Sequence, residues 1–366
     1  MNSDIYFYFH IPFCYRKCQY CSFVSYEKRL GYLDRYVDAL IEEIDSFYTD
    51  KTVKTIYFGG GTPSVLKPKH IERILNRVHK EFSCKIEEMT FEIIPLVRLE
   101  YLKALKCMGI NRLSIGVQSF LDNKLRLLGR IHKKEDSLRV IDDALSAGFE
   151  NISIDLIYGV NETMDELLND LAITCRLDIH HVSAYMLSVD KGSEFYRMGF
   201  RPSPDEDVEA FYLKLCEVLT GCGLEQYEIS NFAKRGFESR HNSAYWLGYD
   251  YRGFGVSASS FVSNMRTKNT NNLIEYLENP KGSWVVEERL SEIELAREMF
   301  VLALRLKKGV ELESFRHRYG VDVMDLFGER IRYFLELGLL KKDGGRLFLA
   351  SPKAMLVSNA IFSEFI

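Results

Sequence analysis

The stretch "HIPFCYRKCQYCSF", residues 10–23, sets Cys14, Cys18 and Cys21 at C-x3-C-x2-C spacing and then continues with Phe23 instead of a fourth thiol. In a reducing compartment a bunched trio of cysteines points to metal binding, not to a disulfide framework. Zinc would need a fourth ligand, for which His10 is the neighbouring candidate. A cubane iron–sulfur cluster suits the spacing better: three thiolates each hold one iron, and the fourth iron keeps an open position for an external chelating group. The other five cysteines, Cys84, Cys107, Cys175, Cys216 and Cys222, are scattered along the chain. They are expected as small buried hydrophobes without disulfides.

These thiols need elements to hold them. Runs rich in Ile, Val, Tyr and Phe predict strands at "IYFYF" (5–9), "KTIYF" (54–58), "EMTFEI" (88–93), "RLSIGV" (112–117), "NISIDLI" (151–157) and "HVSAYML" (181–187). Between them, apolar residues recur every three or four positions, as in "LDRYVDALIEEIDSFY" (33–48) and "TMDELLNDLAITCRL" (163–177), which predicts helices. Six β–α units make an α/β fold with a parallel sheet, either a (β/α)6 partial TIM barrel or an open doubly wound sheet. In a barrel, functional groups gather beyond the carboxyl ends of the strands. The cysteine loop, "GGGTPS" (59–64), Glu92, Gln118 and Asp155 fall there, strand after strand.

Three stretches divide the chain of 366 residues: a partial barrel at 1–230, a Gly- and Asn-rich connecting segment at 231–284, and a C-terminal domain at 285–366. The last reads as three helices, a hairpin turning at Gly344–Gly345 and a final helix, which resembles a winged helix. Its 13 basic and 13 acidic residues make a poor footprint for DNA, so docking or a lid is expected instead. A net charge of −4 gives no reason to expect a nucleic-acid partner. The N-terminus carries Asp4 and no basic residue before its apolar run, unlike a secretory signal, and no apolar run is long enough to span a membrane. A cytoplasmic protein is expected.

The C-x3-C-x2-C loop after a first barrel strand resembles the signature of the radical S-adenosylmethionine (SAM) superfamily. Together "YFHIPFCYRKCQYCSF", "YFGGGTPS", "GINRLSIGVQSF", "LGRIH" and "SIDLIYG" resemble the oxygen-independent coproporphyrinogen III oxidase-like group, over roughly residues 5–265. The resemblance implies a 4Fe-4S cluster on Cys14, Cys18 and Cys21 whose open iron is chelated by SAM, with an electron donor to start radical chemistry. It further implies that Tyr8 lines the cluster and SAM, and that Gly60, Gly61 and Thr62 approach the methionine amine. By the same resemblance, Glu92 accepts from the ammonium, Arg130 pairs with the carboxylate through its planar fork, and Gln118 and Asp155 accept from the ribose hydroxyls.

Within that group the true oxidases continue to a further cysteine where this chain has Phe23, and carry an N-terminal extension before strand one. In both respects the chain resembles the HemW-type heme chaperones. The resemblance implies heme as cargo, acceptor hemoproteins as partners, and uncertain turnover of a porphyrin. The "HNSAYW" run (241–246) is similar to a HemW pattern whose histidine has been considered a heme contact. His241 is therefore either an axial ligand or a hydrogen-bonded brace within a loop at the barrel mouth. Two departures stand out: "VNET" (160–163) replaces an expected L-P-G-Q-T, and "EIIP" (92–95) lacks the asparagine of E-x-N-P. Coproporphyrinogen III oxidation, or work on a related tetrapyrrole, is the enzymatic alternative.

Overall fold

A computed structural model describes residues 3–365. Six parallel strands form its centre: β1 (Asp4–Ile11), β2 (Thr52–Gly60), β3 (Cys84–Ile93), β4 (Arg112–Gln118), β5 (Ile152–Tyr158) and β6 (His181–Met186). Each pairs with the next in chain order, without the reversal that defines a doubly wound sheet. That unreversed order is the winding of a barrel, here left partial because β1 pairs on its other side with a strand at Tyr251–Phe254.

Strand alternation gives the sheet two unlike faces. One face carries Phe7, Phe9, Ile56, Phe58, Phe91, Leu113, Ile115, Ile154 and Val182, all buried in the main hydrophobic core. Helices such as Leu33–Ser46 and Pro68–Glu81 supply the rest of that layer with Leu40, Ile44, Ile71 and Ile74. The registered partners on the other face are polar: Tyr8 with Tyr57, Thr55 with Glu88, Thr90 with Arg112, Ser114 with Ser153, and Asp155 with Ser183. A parallel sheet covered on both sides normally reads as continuous apolar runs. Here the inner face lines a cavity instead.

The connecting segment is more regular than its composition predicts. Four strands, Tyr251–Phe254, Ser259–Val262, Met265–Asn269 and Trp284–Arg289, extend the sheet beyond β1, the last three antiparallel. Ser263 and Asn264 both have positive φ (54° and 76°), the two-residue turn that matches the twist of a hairpin. The glycines mark close approaches: a Cβ on Gly253 would lie 2.3 Å from the Ser259 carbonyl oxygen. Glu43, on the Leu33–Ser46 helix, ties these strands down. Its carboxylate accepts from Arg252 Nη2 (2.8 Å), Gly255 N (2.8 Å), Asn269 Nδ2 (2.8 Å) and Tyr276 Oη (2.7 Å).

The C-terminal part has helices at Glu292–Leu304, Leu312–Tyr319 and Val323–Glu336, followed by a Leu340–Asp343/Arg346–Leu349 hairpin. Val310–Glu311 adds a third strand, completing winged-helix order, and at its centre Phe300 stacks on Phe327 while Phe365 meets both rings edge-on. The expectation of unpaired scattered cysteines fails at one pair: Cys175 and Cys222 form a disulfide across a sequence separation of 47. Each lies just beyond the end of a helix, Met164–Thr174 or Asp205–Gly221, and those helices pack side by side. Among the described residues no helix is long and apolar enough to cross a membrane.

Removing Glu43 would leave Arg252 buried without its counter-charge. Glu43→Leu is expected to lower unfolding stability by about 3–5 kcal/mol, read from denaturant titration. A change within experimental error would show that the node does not hold the added strands.

Candidate functional site

The cysteine loop leaves the end of β1 and is pinned from below by His10. Its Nδ1 is bonded to Tyr8 Oη (3.0 Å) and its Nε2 to the Val24 carbonyl (3.0 Å). Both ring nitrogens are thereby engaged, which removes the fourth ligand that a zinc site would need. Among the described residues no three His, Cys, Asp or Glu side chains converge on a single-ion site. A cubane spreads its thiolates over three irons and asks for no such convergence.

Cys14, Cys18 and Cys21 are free thiols that line one cavity of about 390 Å³ at the carboxyl ends of the strands. Burial pushes the Cys14 and Cys21 thiols up from their ordinary range. Opposing this at Cys14, Thr62 Oγ1 donates to its Sγ (3.6 Å). Separately, Arg130 Nη1 donates to Cys18 Sγ at 3.2 Å. Donors and positive charge around the sulfurs favour the thiolates that iron requires. The donor set therefore fits a cluster held by three cysteines.

The glycines of "GGGTPS" serve this loop directly. A Cβ on Gly60 (φ +115°) would sit 2.7 Å from the His10 ring, and one on Gly61 would sit 3.0 Å from Cys14 Sγ. Only glycine lets β2 pass so near the cysteine loop. Gly60, Gly61, Thr62, Glu92, Gln118, Arg130 and Asp155 all face the same cavity as the three cysteines. Tyr8 and His241 do not line it. Tyr8 instead borders a second, aromatic cavity with Tyr245, Trp246 and Tyr249.

Glu92 accepts from Tyr57 Oη at 2.8 Å. Burial, and then the neighbouring Asp155 charge, raise its carboxyl to about 7. Asp155 accepts from Ser114 Oγ (3.2 Å) and is raised by burial to about 6, with Arg112 pulling the other way. Arg130 Nη2 donates to the Gly116 carbonyl (2.7 Å), so its fork is set between that carbonyl and Cys18. Gln118 takes a positive φ (68°) at the end of β4, a turn that aims it into the cavity.

Sequence reasoning missed several lining residues: Tyr57, Arg112, Ser114, Ser183, Tyr185 and Asn242. Arg112 is 1% exposed, its Nε has no hydrogen-bond partner, and its charge acts on both carboxyls, favouring their ionised forms. The signal was the polar alternation within the strands, as in "RLSIGVQ" and "ISID". His241 is 1% exposed on the Arg240–Trp246 helix, its Nδ1 bonded to Thr55 Oγ1 (2.7 Å) and its Nε2 to Tyr245 Oη (2.7 Å). Burial, helped by the charge of Arg112, pushes it down to about 3, so the imidazole is neutral. This is the geometry of a brace, set toward the amino ends of the strands and away from the cysteine loop. The replacement of L-P-G-Q-T also has a local reason: Glu162 accepts from Gly159 N (2.6 Å) and pairs with Lys124, whose ammonium also reaches Asp170 (3.4 Å).

A partial parallel barrel with three thiols on the loop after its first strand, facing glycine-rich and acidic strand ends, defines a radical SAM protein. The description "Radical SAM superfamily" matches residues 8–172 and "HemN C-terminal domain" matches 290–357. The chain is 36% identical over 367 residues to the heme chaperone HemW of Lactococcus lactis, covering 98% of this chain and 96% of that one. Against the heme chaperone HemW of Bacillus subtilis it is 34% identical over 374 residues, with 98% of each covered. Among solved structures, the coproporphyrinogen III oxidase HemN of Escherichia coli superposes with a TM-score of 0.86 at 23% identity, over 100% of this chain and 90% of that one. That last likeness concerns the fold. The chain belongs to the HemW family of the radical SAM superfamily.

With the family come its cofactors, a 4Fe-4S cluster and SAM. When bound, the pair supplies one-electron cleavage of SAM. A Cys14→Ala variant is expected to lose the cluster's visible absorption and most of its iron after anaerobic reconstitution. Wild-type iron content in that variant would overturn the ligand assignment.

Proposed function

We propose that the protein is a heme chaperone, binding heme and delivering it to acceptor hemoproteins in the cytoplasm. The observation that carries this reading is the full-length identity to relatives that are themselves named heme chaperones, at 36% and 34%. Phe23, at the position where the oxidases of the group carry a further cysteine, agrees with it. In the proposed arrangement Cys14, Cys18 and Cys21 hold the cluster, and Glu92, Arg130, Gln118 and Asp155 receive SAM. An external reductant supplies electrons.

The cavity mouth supports a flat, apolar cargo. Phe23 is 66% exposed there, beside Tyr15, Ile131, Tyr185 and Met186, each at least 41% exposed. Large side chains left in water around one opening mark a binding surface. A macrocycle laid on them would cover aromatic faces and a thioether. His241, with both ring nitrogens occupied, is given the bracing role instead of the axial one.

Heme titration followed by transfer to an apo-hemoprotein tests the proposal. The wild type is expected to bind and release heme. Phe23→Ser combined with Met186→Ser is expected to weaken heme binding by about tenfold or more. Decarboxylated porphyrin formed from coproporphyrinogen III, anaerobically with SAM and reductant, would overturn the chaperone reading in favour of the oxidase.

A further inference from the structure

The Arg240–Trp246 helix carries the H-N-x-x-Y-W run, and nothing in the proposed chemistry yet uses it. Its amino end is held inside the barrel by one carboxylate: Glu88 accepts from Arg240 N (2.9 Å), His241 N (3.0 Å) and Ser239 Oγ (3.4 Å). Its carboxyl end is held by the C-terminal part. Arg318 donates to the carbonyls of Leu247 (2.7 Å) and Gly248 (2.6 Å), and the Arg305 guanidinium stacks 4.2 Å from the Trp246 ring centre. Between these anchors the His241 ring lies 5.0 Å from the ring of Tyr57, and Tyr57 Oη donates to Glu92.

We propose that this helix positions the SAM site: His241, fixed by Thr55 and Tyr245, sets the ring of Tyr57, and Tyr57 aims and charges Glu92. The inference rests on Glu92 belonging to the SAM site. Tyr57 and His241 are then positioning residues, acting on SAM through that carboxylate. The C-terminal part grips the far end of the helix through Arg318 and Arg305, and so braces the same site.

The consequence is electrostatic. The titratable and charged groups facing Glu92 are Tyr8, Tyr57, Arg112, Asp155, Tyr185 and Tyr245. Of these, Tyr57 stabilises the charged form by a direct hydrogen bond, whereas Asp155 opposes it and Arg112 assists from further away. A carboxyl raised to about 7 accepts from the SAM ammonium far more strongly when ionised, so SAM affinity falls as pH drops through that value. Losing the Tyr57 hydroxyl moves the fall to higher pH.

The test is SAM affinity against pH by anaerobic calorimetry on cluster-loaded protein, with iron content matched between variants. Tyr57→Phe keeps the ring and is expected to shift the acidic limb upward by about one pH unit. His241→Leu is expected to shift the limb in the same direction, and His241→Gln, which can still bond Thr55, to shift it less. A lower melting temperature with an unmoved limb in both Tyr57→Phe and His241→Leu would overturn the inference. Wild-type protein with full iron but no SAM binding in alkaline buffer would overturn the site itself, and the inference with it.

Discussion

A sheet whose inner face carries Glu88, Glu92, Arg112 and Asp155 can fold only if those groups find partners out of bulk water. Uncompensated burial of such charges costs several kcal/mol each. The molecule meets this constraint by dividing the inner face in two. Toward the amino ends of the strands the polar groups are closed off by protein: Glu88 caps a helix, Thr55 takes the His241 ring, and Ser153 Oγ is bonded to His181 Nδ1 at 2.8 Å. Toward the carboxyl ends they stay open to the cavity, with Arg112 buried between the two zones as counter-charge to both acceptors.

The division explains why a cofactor site arises where it does. Sites for an amine and for hydroxyl groups need acceptors that are fixed in place and not already satisfied by protein. Glu92 and Asp155 are such acceptors, oriented by hydroxyl donors: Tyr57 for Glu92, and Ser114 with Ser183 for Asp155. The cysteine loop is brought over them by two unrelated contacts: the His10 bridge between Tyr8 and Val24, and the passage of Gly60–Gly61 beneath Cys14. Bulk added at either glycine would push the thiols away from the strand ends.

Much of this was legible in the sequence. The six parallel strands were readable because β-branched and aromatic runs recur between amphipathic helices. The cysteine spacing, the GGGTPS turn and the strand-end positions of Glu92, Gln118 and Asp155 point to the cavity that these residues line. The strands at 251–289 were hidden because their glycines answer tertiary contacts, as at Gly253, and composition alone reads them as loop. The Ser263–Asn264 turn was the local clue. Arg112 was passed over because an arginine opening a strand usually reaches solvent, and only the curl of the sheet buries it. The Cys175–Cys222 pair depends on the packing of two helices far apart in sequence, which no spacing rule reveals. The sequence offered His241 both as a ligand and as a brace; the bonds to Thr55 and Tyr245 favour the brace.

The central claim is that three cysteines leave one iron open toward the cavity, and that SAM completes it there. The most direct measurement is the electron paramagnetic resonance spectrum of the reduced, reconstituted protein with and without SAM. Binding at the open iron predicts a changed set of g-values on adding SAM, and the same change should be absent in an Arg130→Leu, Glu92→Leu double variant that still holds its cluster. Identical wild-type spectra with and without SAM, at full iron content, would contradict the account.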